Sequence, residues 1–261
     1  MRLPIYQVDA FTAELFRGNP AAVCPLPEWI AAETMQKIAT ENNLAETAFY
    51  VRGRERLAIR WFTPAVEVDL CGHATLAAGH VVFVEEGFPG PRIEFDSRSG
   101  ILAVRRAGDL LTLDFPADSI AAAAPPAGLV EAMGARPREI YKGKTDYMLV
   151  YGSRSDIEAL APDFGLLRKV EARGVIATAP DVDVDFVSRF FAPQVGIDED
   201  PVTGSAHTTL TPFWAARLRK SEMKALQLSR RRGWLAVRSA GDRVEIAGQA
   251  RLYLRGEIEI E

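Results

Sequence analysis

At 261 residues the chain is long enough for two lobes of ordinary domain size, each with its own core. Hydrophobic residues at 48% and charged residues at 25% are the proportions of a soluble globular protein, and no apolar run approaches the ~20 residues that span a bilayer. A net charge of −4 gives no electrostatic reason to expect nucleic acid or an anionic membrane as partner. Two cysteines, Cys24 and Cys71, do not make a disulfide framework and suit a reducing cytosol. The opening residues Met1-Arg2-Leu3-Pro4-Ile5-Tyr6 lack the apolar stretch of a signal peptide, so a cytoplasmic location is expected.

In chain order, Ile5 to Phe11 reads as a first strand, followed by the turn Gly18-Asn19-Pro20 and a short strand through Ala21 to Cys24. Pro27 opens a predicted helix that runs through Met35 and Ile38 to about Glu41. In the stretch Asn42 to Val51 a turn enters a strand, and Ala58 to Phe62 is a further short β-rich run. Then Asp69-Leu70-Cys71-Gly72-His73-Ala74-Thr75 joins strand to helix at a glycine. The helix from Ala74 to Val84 is apolar or small on nearly every face, which marks it as buried. Its first turn carries backbone N–H groups in want of an acceptor, and glycine permits close approach, so this is a candidate site for a carboxylate. A hairpin from Gly100 to Phe115, turning at Ala107-Gly108-Asp109, closes the first lobe, and the Ala/Pro-rich segment Pro116 to Gly128 reads as a linker.

The second half repeats the first. Arg189-Phe190-Phe191-Ala192-Pro193 matches Arg60-Trp61-Phe62-Thr63-Pro64 at an offset of 129, and Gly204 matches Gly72 at 132. Gly233 to Asp242 is identical to Gly100 to Asp109 at 8 of 10 positions, at 133. Three anchors in one order at nearly constant offset indicate an internal duplication. The expected fold is therefore α+β: two pseudo-symmetric lobes, each a mixed, mostly antiparallel sheet wrapped around an apolar helix. The lobes are assigned to 1–116 plus about 249–261, and to 117–248, with the active site in the cleft between them.

The halves also differ. Aligned at an offset of 131, Glu46 falls opposite Ala177, so one lobe has a carboxylate where the other has a methyl group. A glutamate within an apolar segment is costly to bury without a purpose.

Asp9-Ala10-Phe11 with Gly18-Asn19-Pro20, Asn43 to Phe49, Phe62-Thr63-Pro64 running to Thr75, and Asp200-Pro201-Val202-Thr203-Gly204-Ser205-Ala206-His207 closely resemble the phenazine-biosynthesis PhzF-like family over nearly the whole chain. The resemblance implies a diaminopimelate-epimerase-like fold, usually a homodimer, and an isomerase that needs no cofactor. It implies that Glu46 shuttles a proton between carbons of a small acidic substrate, that His73, Asp200 and Ser205 line the site, and that Gly72 and Gly204 offer backbone N–H groups. Asn19 is a weaker carry-over, since Gly-Asn-Pro is also an ordinary turn. Racemases of this fold pair two cysteines, but Cys71 matches Thr203, whose hydroxyl is too weak a base for that work. Three rival readings use the same residues: a serine hydrolase from Ser205, His207 or His73, and Asp200; a metal site from Cys71, His73, His207 and Asp200; and a binding protein that has lost turnover. Thr203 to His207 is not a nucleophile elbow, and no paired metal-ligand motif appears.

Overall fold

The computed structural model describes residues 1–260, and the chain divides into two compact units, Met1–Phe115 with Glu245–Glu261, and Pro116–Val244. In the first unit the order is β1 (Arg2–Ala10), β2 (Asn19–Leu26), α1 (Ala32–Asn42), β3 (Glu46–Arg52), β4 (Leu57–Phe62), β5 (Glu67–Val68), α2 (Gly72–His80), β6 (Arg92–Ser97), β7 (Gly100–Ala107) and β8 (Leu110–Pro116). The second unit contributes β9 (Ala121–Ala122), α3 (Leu129–Met133), β10 (Glu139–Lys142), β11 (Asp146–Val150), α4 (Arg154–Glu158), α5 (Phe164–Leu167), β12 (Gly174–Pro180), β13 (Phe186–Phe191), α6 (Gly204–Leu218), β14 (Glu222–Gln227) and β15 (Gly233–Ala240). The chain returns to the first unit within β16 (Arg243–Gly248), and β17 (Ala250–Glu259) pairs antiparallel along the whole of β1.

Each unit follows one plan. Strands β2 and β3 are parallel and β3 and β4 antiparallel; β11 and β12 are parallel and β12 and β13 antiparallel. One side of the first sheet covers α2, which is buried from His73 to Gly79 and continues through Val81, Val82 and Phe83 in a wider π turn, Val81–Glu85. The other side packs on Met35, Ile38 and Ala39 of α1, with Phe49, Val51 and Cys24. In the second unit α3 to α5 play the part of α1, placing Leu129, Met133, Ile157 and Leu167 against Leu149, Val175 and Ala177. Strands covered on both faces carry continuous apolar runs, as Ala48 to Val51 and Val175 to Ala177 do.

Two local departures from the sequence expectation have physical causes. The first helix starts at Ala32 rather than Pro27, because Ala31 is still extended (φ −56°, ψ 137°) and proline marks the turn before the helix, not its first residue. Helix α6 contains Pro212, which lacks an N–H for the Thr208 carbonyl. That carbonyl instead accepts the Asp118 N–H at 3.1 Å, so the helix continues with its orphaned acceptor satisfied.

The buried imidazole of His207 couples α6 to pH. Its Nδ1 lies 2.8 Å from the Thr203 carbonyl, an acceptor, so Nδ1 carries the hydrogen. Burial lowers its pKa from 6.5 to about 4, against the smaller opposing effect of that bond. The unfolded chain therefore takes up a proton near pH 6.5 that the folded chain refuses until about 4, so stability is full above 6.5 and falls as pH drops through that window. Urea unfolding should show a smaller loss of stability between pH 7 and 5 in His207→Gln than in wild type. An identical pH slope would remove His207 from this role.

Candidate active site

The join between β5 and α2 places Cys71 at the N-cap and Gly72 as the first helical residue, as the glycine in the sequence requires. The Ala74 N–H turns toward the Cys71 sulfur, and the Thr75 N–H and hydroxyl both bond the Cys71 carbonyl, at 3.2 and 2.5 Å. This fixes the first turn and directs His73 toward β3. Its Nε2 lies 3.1 Å from Oε2 of Glu46, the first residue of β3, whose side chain is 13% exposed. The contact is short but off the line of a straight hydrogen bond, a common state of catalytic pairs before substrate is bound.

Asn19 joins the same cluster. Gly18 has φ +65°, and a Cβ there would lie 2.1 Å from the Ala10 carbonyl oxygen, so the Gly-Asn-Pro turn needs glycine to deliver Asn19 to the head of β2. Asn19 is fully buried, and its Nδ2 lies 3.2 Å from Nδ1 of His73. An amide N–H₂ donates only, so in this arrangement Nδ1 accepts and the ring hydrogen sits on Nε2, directed at Glu46. Burial resists a charge on His73, yet the Glu46 carboxylate 3.1 Å from Nε2 holds its pKa above the ordinary imidazole value. A doubly protonated ring would need the Asn19 amide to turn its oxygen to Nδ1.

Cys71 Sγ is 3.6 Å from Nδ1 of the same ring. Burial, then the Glu46 charge, raises its pKa, so the thiol keeps its proton. Donor atoms of Glu46, Cys71 and His73 lie within 4.8 Å of one another, a spacing that could hold a cation. The other two residues of the metal reading, Asp200 and His207, belong to the second unit.

There the loop from β13 to α6 is built around Asp200. Thr203 at the N-cap donates its hydroxyl to Asp200 Oδ2 at 2.5 Å. Gln227, wholly buried at the end of β14, holds the loop from beneath: Nε2 donates to the Asp200 carbonyl (2.8 Å) and Oε1 accepts the Thr203 N–H (2.9 Å). The Thr203 hydroxyl is thus engaged with a carboxylate and an amide, which leaves it unsuited to be a base. Gly204 begins α6 and Ser205 follows, exposed, with its Oγ 3.3 Å from Arg173 Nη2. His207 Nδ1 is committed to the Thr203 carbonyl and Ser205 Oγ is bonded by Arg173, so His207 is not poised to activate Ser205 as a hydrolase would need.

The strand registers correct one sequence alignment. Thr47 pairs with Phe62 and Val175 with Phe191, and Phe62 and Phe191 are themselves equivalent in the repeat. The counterpart of Glu46 is therefore Gly174, not Ala177. The shared Thr-Ala pairs that suggested an offset of 131 are too short to set a register. Sequence reasoning also missed Arg173, Asp146 and Gln227, since each acts through partners distant in the chain.

The family model of the phenazine biosynthesis-like proteins, PhzC-PhzF, matches residues 8–256. The chain belongs to this family. An uncharacterized isomerase of Pseudomonas aeruginosa is 52% identical to it over 261 residues, all of both chains. A crystal structure of a PhzF family protein from Enterococcus faecalis, 42% identical, superposes with a TM-score of 0.97 over 100% of each chain. A hydroxyproline epimerase from Agrobacterium vitis, at 13% identity and TM-score 0.59, covers 98% of this chain and 92% of its own, and shows that the fold extends to epimerases. The protein is thus an isomerase of the PhzF type with the expected α+β fold. Among the described residues no helix is long and apolar enough to cross a membrane.

Proposed function

We propose that the protein moves a proton between two carbons of a small carboxylate-bearing substrate, with Glu46 as the acid–base and no cofactor. The observation that carries this reading is a largely buried carboxylate set 3.1 Å from a buried imidazole at the start of a buried helix. In the first step a substrate C–H bond breaks, the proton forms an O–H bond on Glu46, and the electron pair enters the conjugated system. In the second the Glu46 O–H breaks and the proton joins another carbon of that system. His73, its Nε2 3.1 Å from the carboxylate, is placed to donate to Glu46 and aim it once substrate draws the pair into line, while Asn19 holds the ring. The first turn of α6, where Ser205 is exposed beside the buried Gly204, is assigned to the substrate carboxylate, and Asp200 to a substrate hydroxyl or amine.

A carboxylate substrate is favoured because the start of α6 at Gly204 and Ser205 offers backbone N–H groups and the positive end of the helix dipole to an anion. Proton NMR in deuterated water, screening small unsaturated carboxylic acids against the amides of the same acids, tests the reading. The expected product is an isomer whose acceptor carbon bears either the substrate's own hydrogen or one deuteron, with the amides inert. Equal turnover of the amides, or products of hydrolysis, would overturn it.

A further inference from the structure

We infer that Arg173 is the residue that recognises the substrate carboxylate and that Asp146 is the residue that positions it; this rests on the carboxylate-isomerase reading above. Asp146 is buried at the start of β11, and parallel pairing sets it beside Gly174 at the start of β12. It accepts Arg173 Nε at 2.9 Å and also bonds Nη2, a two-point grip that fixes the plane of the guanidinium. The Phe190 ring lies beneath, 5.6 Å from Cζ. This packing needs a glycine next door: a Cβ on Gly174 would lie 2.3 Å from Phe190 Cζ and 3.0 Å from Asp146 Oδ1.

A counter-charge for Asp146 would by itself account for two of these bonds, but not for the rest of the arrangement. Arg173 Nη2 also reaches the Ser205 hydroxyl at 3.3 Å, and 41% of the side chain remains exposed. The Nη1 edge carries none of the bonds described. The internal repeat gives a second, independent pointer. Gly174 is the register counterpart of Glu46, and Ser205 matches His73 at the 132-residue offset of the helix glycines. The first unit sets Glu46 3.1 Å from His73; the second sets Arg173 3.3 Å from Ser205. Arg173 stands one residue before that counterpart, at the position of Ala45, so in the second repeat a guanidinium meets the start of the helix from the position next to the one that carries the carboxylate in the first. A carboxylate suits a base, and a cation held rigid by a buried aspartate suits an anion, above all a planar carboxylate.

Benzoate, with benzamide as its uncharged control, is the probe, titrated into the full chain and followed through the Gly204 and Ser205 amide signals in nitrogen–proton NMR spectra. The double variant Arg173→Gln, Asp146→Asn removes the guanidinium without stranding a buried carboxylate. It should bind benzoate roughly ten- to a hundredfold more weakly than wild type, the loss of a charge-assisted hydrogen bond. Glu46→Gln should not weaken benzoate binding, and benzamide should bind poorly throughout. Wild-type affinity in a double variant with native circular dichroism, no benzoate binding by wild type, or preference for inorganic phosphate would each overturn the assignment of Arg173. Loss of benzoate binding in the double variant together with full turnover by Glu46→Gln would uphold Arg173 and sink the proton-shuttle reading instead.

Discussion

Glu46→Gln should lower turnover by ~10²–10⁴-fold, the range that a positioned acid–base supplies. Glutamine keeps the length and shape of the side chain, and its amide oxygen can still accept from His73 Nε2, which now lies 3.1 Å from the carboxylate. The variant loses only the ability to take and return a proton, so binding of a carboxylate ligand should survive. A parallel substitution serves as contrast. Cys71 is also in contact with the His73 ring, but burial and the Glu46 charge keep its thiol protonated, and its repeat counterpart Thr203 is engaged with Asp200. Cys71→Ala should therefore keep turnover within about an order of magnitude of wild type. Initial rates of the two variants on one substrate decide between them. Normal turnover by Glu46→Gln would end the assignment, and a collapse in folded Cys71→Ala would restore a cysteine acid–base.

The difference between those variants traces to what duplication leaves readable in a sequence. Gly72 and Gly204 each proved to be the first residue of a buried helix, and Gly100–Ala107 and Gly233–Ala240 each a strand of a hairpin. Such features are legible because they are local: a glycine where a helix end meets other groups, an alternation along a strand, a turn residue. The terminal strand was also legible as a strand, whereas its pairing with β1 is a long-range contact that no local pattern specifies. The pairing register was not legible. Setting Glu46 against Ala177 relied on two matching residues, whereas the ladders anchored at Phe62 and Phe191 set it against Gly174. The polar contacts that shape the second site were hidden for the same reason. Asp146 meets Arg173 across 27 residues and Gln227 meets Thr203 across 24, and neither pair has a spacing that a helix or strand period would bring together. Asn19 stood in between: its turn was visible, but its hold on the tautomer of His73 depends on a contact spanning 54 residues.

Trp214→Ala should destabilise the second unit by about 3–5 kcal/mol, the usual cost of emptying a large aromatic site in a packed core. The indole is 1% exposed, stacks on Phe186 at 5.8 Å and 7°, and meets Phe213 edge-on at 5.2 Å. Its Nε1 donates to the Thr178 hydroxyl at 3.0 Å, and that hydroxyl donates in turn to the Val187 carbonyl at 2.7 Å. Removing the indole therefore leaves no donor stranded, because Thr178 keeps its bond to Val187. The cost is cavity and lost contact, with the hydrogen bond adding about 1 kcal/mol. Trp214→Phe separates the two contributions, since it restores most of the ring while omitting the N–H, and it should cost well under half as much. The packing matters to the site because this ring fixes α6, whose first turn carries Gly204 and Ser205. Urea unfolding followed by circular dichroism reads the effect as a lower midpoint at unchanged slope. A loss below about 1 kcal/mol in Trp214→Ala would mean that the core of the second unit closes over the gap, and that α6 is held by its other contacts.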